Sequence, residues 1–179
     1  MKLKIKVKRL NMLLPLPEVT EKGDFIDLRA SESVIMHAPQ AGTLKRHKVG
    51  DKEESHRDVS FDSKLIPLGV AMKLPKGFRA IPVPRSSTYN KYGIIQANSI
   101  GVIDNCYSGN NDEWKFPAIA FRDTVIPKGE RICQYEIGLS QKATFWQKLK
   151  WLFCSGVEIV EVESLDDTNR GGFGTTGVK

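Results

Sequence analysis

The chain has 179 residues, 40% apolar and 27% charged, with a formal net charge of +6. Those proportions fit one folded domain and exclude a disordered chain. No apolar run reaches the ~18–20 residues of a membrane span, and lysines interrupt the N-terminus too often for a signal peptide.

Met1 to Lys8 alternates Leu3, Ile5 and Val7 with Lys2, Lys4, Lys6 and Lys8. That period of two predicts a half-buried strand. With Arg9, these lysines carry five of the six net positive charges, so the remainder of the chain is nearly neutral. An edge strand guarded by lysine is therefore expected rather than a nucleic-acid patch. Pro15 and Pro17 predict an extended connection, and 25–28 and 33–36 short strands. The polar run 39–58 reads as a long exposed loop containing His47 and His56. Strands follow at 65–74 and 79–83, joined by the Pro75-Lys76-Gly77-Phe78 turn. Residues 92–104 read as a strand pair, with further strands at 116–121, 131–137 and 157–162. Many short strands between turn signals predict an all-β barrel or sandwich.

Residues 144–153 depart from that pattern, placing Phe145, Trp146, Leu149, Leu152 and Phe153 at helical spacing. A short amphipathic helix packing its stripe on the chain's own core is expected, with a partner- or membrane-facing element as the alternative. Cys106, Cys133 and Cys154 are odd in number and lack CxxC spacing. They predict neither a zinc site nor a disulfide framework, and fit a reducing cytoplasm. The three histidines form no ligand motif.

Four pieces carry chemistry. Pro84-Arg85-Ser86-Ser87 sets a guanidinium fork beside two hydroxyls after a strand, a group suited to phosphate oxygens or to a plain surface turn. Gly101-Val102-Ile103-Asp104 ends an apolar strand in an acid, with Tyr107 three residues on; such an Asp can cap a turn or act as a base. Gly129-Glu130-Arg131-Ile132-Cys133-Gln134 turns into a strand. Arg170 precedes Gly171-Gly172-Phe173-Gly174-Thr175-Thr176-Gly177, which formally matches GxGxxG. A dinucleotide site needs a helix and an acid beyond that motif, and only Val178 and Lys179 follow. The Gly-rich tail can instead wrap a phosphate chain.

In this order the four motifs resemble those of the trimeric dUTP pyrophosphatases, from about residue 23 to the C-terminus. Two departures stand out: Phe25 replaces a usual glycine in Asp24-Phe25-Ile26-Asp27-Leu28, and Arg170 abuts the glycine run directly. The resemblance implies an all-β jelly roll or β-clip over 1–164, with a short amphipathic helical insert at 142–153. A flexible Gly-rich arm over 165–179 would close over the site. It implies a homotrimer with shared active sites, converting dUTP and water to dUMP and pyrophosphate with Mg²⁺. Asp104 would be the general base. Arg85, Ser86, Ser87 and Gln134 would hold phosphates, and Asp27 would act on the metal through water. Asn98, Gly101 and Ile103 would read uracil, Tyr107 would lie under the deoxyribose, and Phe173 would stack on the base. Arg170, Gly174, Thr175 and Thr176 would contact the nucleotide as the arm closes. The alternatives are a dCTP deaminase-type or bifunctional relative, or a regulatory module binding a protein through 45–58 or 142–153. Neither a membrane nor a nucleic acid is an expected partner.

Overall fold

The computed structural model describes residues 1–19 and 23–172. Thirteen strands and two helices are defined among them. Two sheets face each other. One contains, in spatial order, β13 (Val157–Glu161), β1 (Leu3–Arg9), β6 (Ser63–Lys73), β10 (Glu113–Ala120) and β8 (Ile94–Gln96). The other contains β2 (Ile26–Arg29), β12 (Arg131–Leu139), β7 (Phe78–Pro84) and β9 (Ile103–Asp104). Burial alternates along β1, β7 and β10, as it must where a strand has one face on a core. Leu3, Ile5 and Val7 of β1 and Ile66 and Met72 of β6 meet Leu28, Phe78 and Tyr135 from the opposite sheet in one core. The Trp114 and Tyr135 rings cross between the sheets at 5.1 Å and 74°, the edge-to-face arrangement that aromatic quadrupoles favour.

The expected edge strand is interior. β1 pairs antiparallel with β6 on one side and parallel with β13 on the other. The alternation located its buried face correctly, but periodicity reports faces and says nothing of the backbone edges. The lysines cover the outer face of the sheet, where β13 answers them with acids: Glu158 lies 4.0 Å from Lys4, and Glu161 2.5 Å from Arg9.

Residues 40–60 are a hairpin and not a loop. β4 (Gln40–Val49) pairs with β5 (Lys52–Ser60) across a two-residue Gly50-Asp51 turn, with Gly50 at φ 65°. Every residue of the hairpin except Gly42 is exposed, so no buried face imprints an apolar alternation. Cross-strand polar pairs line it instead, with Lys45 on Asp58 and His47 in register with Glu54. A small sheet pairs β3 (Val34–Met36) with β11 (Thr124–Ile126).

The expected strand pair over 92–104 is also different. A five-residue helix, α1 (Thr88–Tyr92), ends on Gly93 at φ 62°. β8 and β9 then join different sheets, so residues 97–102 cross between them. Helix α2 (Phe145–Leu152) is where spacing placed it, started by a capping box between Thr144 and Gln147. Its stripe does not enter the core. Phe145, Trp146 and Leu152 are 68–74% exposed, while Leu149 is half-buried and the Trp151 ring lies 5.6 Å from Phe78. No helix among the described residues is long and apolar enough to cross a membrane.

Candidate active site

A cleft of about 350 Å³ opens beside the 97–102 crossing. It brings together Asn98, Gly101, Ile103, Asp104, Tyr107 and Arg170 from the sequence motifs, over a floor that includes Gln96, Trp114 and Phe116. The crossing is held to β7 at one atom: the Pro82 carbonyl accepts the Gly101 N–H at 3.2 Å and the Gln96 Nε2 at 3.3 Å. Glycine is needed here because a Cβ at 101 would lie 2.6 Å from Pro82 Cγ. β9 then pairs Asp104 with Arg79 at the start of β7, which leaves the carboxylate exposed at the cleft mouth.

Tyr107 is fixed at both ends. Its hydroxyl donates to the Glu113 carbonyl at 2.9 Å, and Gly172 passes so close that a Cβ there would sit 3.0 Å from the ring. Burial, helped by the charges of Asp112 and Glu113, pushes the phenol up to about 12, so it remains a protonated donor at neutral pH.

The segment expected to be a free arm from residue 165 is anchored as far as it is described. Leu165 is fully buried, and its N–H donates to Asn110 Oδ1. Asp167 pairs with Lys73 at 2.8 Å and accepts from Ser108. Asp112, 2% exposed, accepts the backbone N–H groups of Gly109, Arg170 and Gly171. Burial alone would raise the Asp112 carboxyl, but hydrogen bonds from Arg170, Gly109, Gly171 and Ser108 outweigh it and hold the group below its ordinary value. The strap thus carries the Arg170 guanidinium to 3.5 Å from Asp104. Phe173, Gly174, Thr175 and Thr176 lie outside the described residues.

The other motif residues gather elsewhere. Asp27 on β2 stands opposite Gln134 on β12, and Arg85 follows directly after β7. The turn carrying Arg85, Ser86 and Ser87 is pinned by Thr88, whose buried hydroxyl donates to the Ile132 carbonyl at 2.7 Å. Ser86 and Ser87 are exposed. Asp27 Oδ1 pairs with Arg85 Nε at 2.8 Å and Oδ2 with Arg131 Nη1 at 2.9 Å. Each oxygen thus faces a guanidinium, and a dication there would meet both cationic groups. Asp27 does not fit the expected water-mediated Mg²⁺ contact. It orients two arginines and leaves the Arg85 Nη groups for an anion. Nor do three or more His, Cys, Asp or Glu side chains cluster as a metal site among the described residues.

Arg85 and Asp104 sit toward opposite ends of β7. Asp104 is in register with Arg79, six positions before Arg85, a separation of roughly 20 Å at strand rise.

The sequence reading missed Gln96 and Trp114 in the cleft lining, and Asp112, which anchors the strap carrying Arg170. Gln96 carried a signal, being polar within the apolar run Ile94-Ile95-Gln96-Ala97. Asp112 carried none, since its acceptors' partners are backbone groups up to 59 residues away.

A family model described as dUTPase matches residues 56–142. The chain is 43% identical over 177 residues to the SPbeta prophage-derived deoxyuridine 5'-triphosphate nucleotidohydrolase YosS of Bacillus subtilis (strain 168), covering 99% of this chain and 100% of that protein. It is 34% identical over 182 residues to the deoxyuridine 5'-triphosphate nucleotidohydrolase of Rickettsia prowazekii (strain Madrid E), covering 98% of each. Among solved structures, the dUTPase of Streptococcus mutans is similar with a TM-score of 0.55 and 22% identity, over 72% of this chain and 88% of that one. A variant of the Staphylococcus bacteriophage 80alpha dUTPase, solved with dUpNHpp, is similar with a TM-score of 0.56 and 18% identity, over 97% and 98%.

Proposed function

The chain belongs to the dUTPase family, and we propose that it hydrolyses dUTP to dUMP and pyrophosphate. The observation that carries this reading is the single cleft shared by Asn98, Gly101, Asp104 and Tyr107, a base reader, a close-approach glycine, an acid and an aromatic ring. In the cell the reaction would keep uracil out of DNA and supply dUMP for dTMP synthesis, in the cytoplasm.

Asp104 accepts a proton from water as its oxygen attacks the α-phosphorus in line. The new P–O bond forms as the bond to the bridging oxygen breaks, and pyrophosphate leaves with the electron pair. Charge grows on the leaving group, so fixed donors placed there lower the barrier. Arg85, Ser86 and Gln134 are those donors, and Asp27 sets the Arg85 fork. The nucleotide is taken as its Mg²⁺ complex, the ion belonging to the substrate.

Since Arg85 and Asp104 of one chain lie too far apart for one triphosphate, a working site needs both from different copies. A homotrimer with shared sites satisfies this by a closed head-to-tail contact. The hairpin 40–60 and helix α2 lie outside that chemistry and are the surfaces through which a protein partner would be taken up.

The test is pyrophosphate release from dUTP, dCTP, dTTP and UTP, with and without a chelator. Rapid release from dUTP alone, abolished by the chelator, is expected. Ammonia from dCTP would favour the deaminase instead.

A further inference from the structure

We infer that Gln96 is a positioning residue that fixes the amide orientation of Asn98 and thereby makes the cleft choose uracil over cytosine. The inference rests on the reading of Asn98 as the residue facing the base.

Gln96 ends β8 at the cleft floor and is 5% exposed. Its Nε2 donates both to the Pro82 carbonyl, at 3.3 Å, and to Asn98 Oδ1, at 2.9 Å. A backbone carbonyl can only accept, so Pro82 dictates which end of the Gln96 amide faces it. With Nε2 so placed, its second N–H requires an acceptor from Asn98, and Asn98 must present Oδ1. The group Asn98 has left for a ligand is then Nδ2, a donor. A base offering a carbonyl at that edge is satisfied, as uracil does with O4. Cytosine offers an amino group there, and two donors would face each other in a partly dried cleft. Orientation thus passes from a backbone carbonyl of β7, through Gln96, to the atom that meets the base.

A second observation argues that Gln96 is not kept for packing. Its Oε1 is buried with no hydrogen-bond partner among the described residues. The floor around it also includes Leu68, Trp114 and Phe116. An apolar side chain would fill this place without burying an unpaired carbonyl, so the glutamine costs stability that its amide must repay through Asn98.

The experiment compares wild type with Gln96→Glu, Gln96→Leu and Asn98→Ala. Preference is read as the kcat/KM ratio of dUTP to dCTP and as the Kd ratio of dUMP to dCMP. The binding ratio needs no turnover. A chain that binds dUMP in preference but releases no pyrophosphate would therefore count against the activity alone. In Gln96→Glu the side-chain oxygen nearest Asn98 accepts, so Asn98 turns and presents Oδ1 to the base. Both ratios should fall by about tenfold or more, with dCMP binding improved in absolute terms. Gln96→Leu frees the Asn98 amide to turn either way; the ratios should fall by less, while the Tm stays level or rises. Should Gln96→Glu fold poorly, Gln96→Leu decides the question. Ratios within twofold of wild type in a folded Gln96 variant, or an Asn98→Ala variant with undiminished preference, would overturn the proposal.

Discussion

Asp112 accepts the backbone N–H of Arg170 at 2.9 Å and of Gly171 at 3.0 Å, from a position 2% exposed. It ties the last described residues to the loop that follows Asp104 and Tyr107, and so helps set where the Arg170 guanidinium stands. Hydrogen bonds to a charged acceptor contribute about 1.5–3 kcal/mol each, so the strap is sensitive to losing this carboxylate. In Asp112→Ala, residues 165–172 should become accessible to protease, KM for dUTP should rise and kcat fall. Unchanged protection would show that Leu165 and Asp167 suffice.

The same carboxylate gives the strap a pH dependence. Its folded value lies below the ordinary 3.8, so its stabilisation is present above that value and lost as pH falls through the folded one. Asp167 is held low as well, by Lys73 and then by Ser108. The stability difference between wild type and Asp112→Asn should be constant near neutrality and shrink below about pH 3.8. A difference that persists undiminished at pH 2 would place its origin in packing rather than charge.

What the sequence disclosed, and what it withheld, follows from the range of the forces involved. The alternation of Leu3, Ile5 and Val7 is local, and the buried face of β1 was legible; its pairing with Val157–Glu161 depends on residues some 150 positions away, and was not. The helix at 145–152 was legible from spacing, whereas its exposed face was not, because amphipathicity says a face is apolar without saying what covers it. Among the motif residues, Asn98 to Tyr107 are close in the chain and share one cleft. Arg85 and Gln134 belong to the same chemistry by motif order, yet the fold sets them at the far end of β7. Chain order could not reveal that division.

Asp104 is the proton acceptor in the proposed mechanism, and the strap sets the Arg170 guanidinium 3.5 Å from it. Asp104→Asn retains the shape but cannot accept the proton. Turnover should fall by about 10²–10⁴-fold while dUTP still binds. Near-normal kcat in that variant would remove Asp104 from the base role.

Tyr107 should govern the choice of sugar. Its ring is clamped by the Glu113 carbonyl and by Gly172, so it cannot swing aside for an extra hydroxyl. Tyr107→Phe frees only one end and should keep most of the preference for dUTP over UTP. Tyr107→Ala opens space and should relax it by about 10–200-fold, the range for shape-based exclusion of a small group. An unchanged ratio in Tyr107→Ala would assign sugar selection elsewhere.

The two half-sites make the strongest demand on assembly. Arg85 and Asp104 lie roughly 20 Å apart along one strand, a rigid element paired on both sides with β12 and β9. In the proposed trimer the missing half of each site comes from a neighbouring copy. Arg85→Ala and Asp104→Asn should each be nearly inactive alone. Mixed after reversible dissociation, the two inactive proteins should recover activity, because some sites then draw an intact Arg85 from one parent and an intact Asp104 from the other. Random mixing in equal amounts gives about a quarter of the sites both intact groups in a closed ring of identical contacts. A double variant carrying both changes, mixed with wild type, supplies the control: every recovered site must then come from wild-type pairs. The ring should also weigh three times the 20.1 kDa chain in light scattering. Recovery absent from an oligomer shown to have exchanged subunits would mean that each chain completes its own site, through a rearrangement of β7 that its pairing forbids.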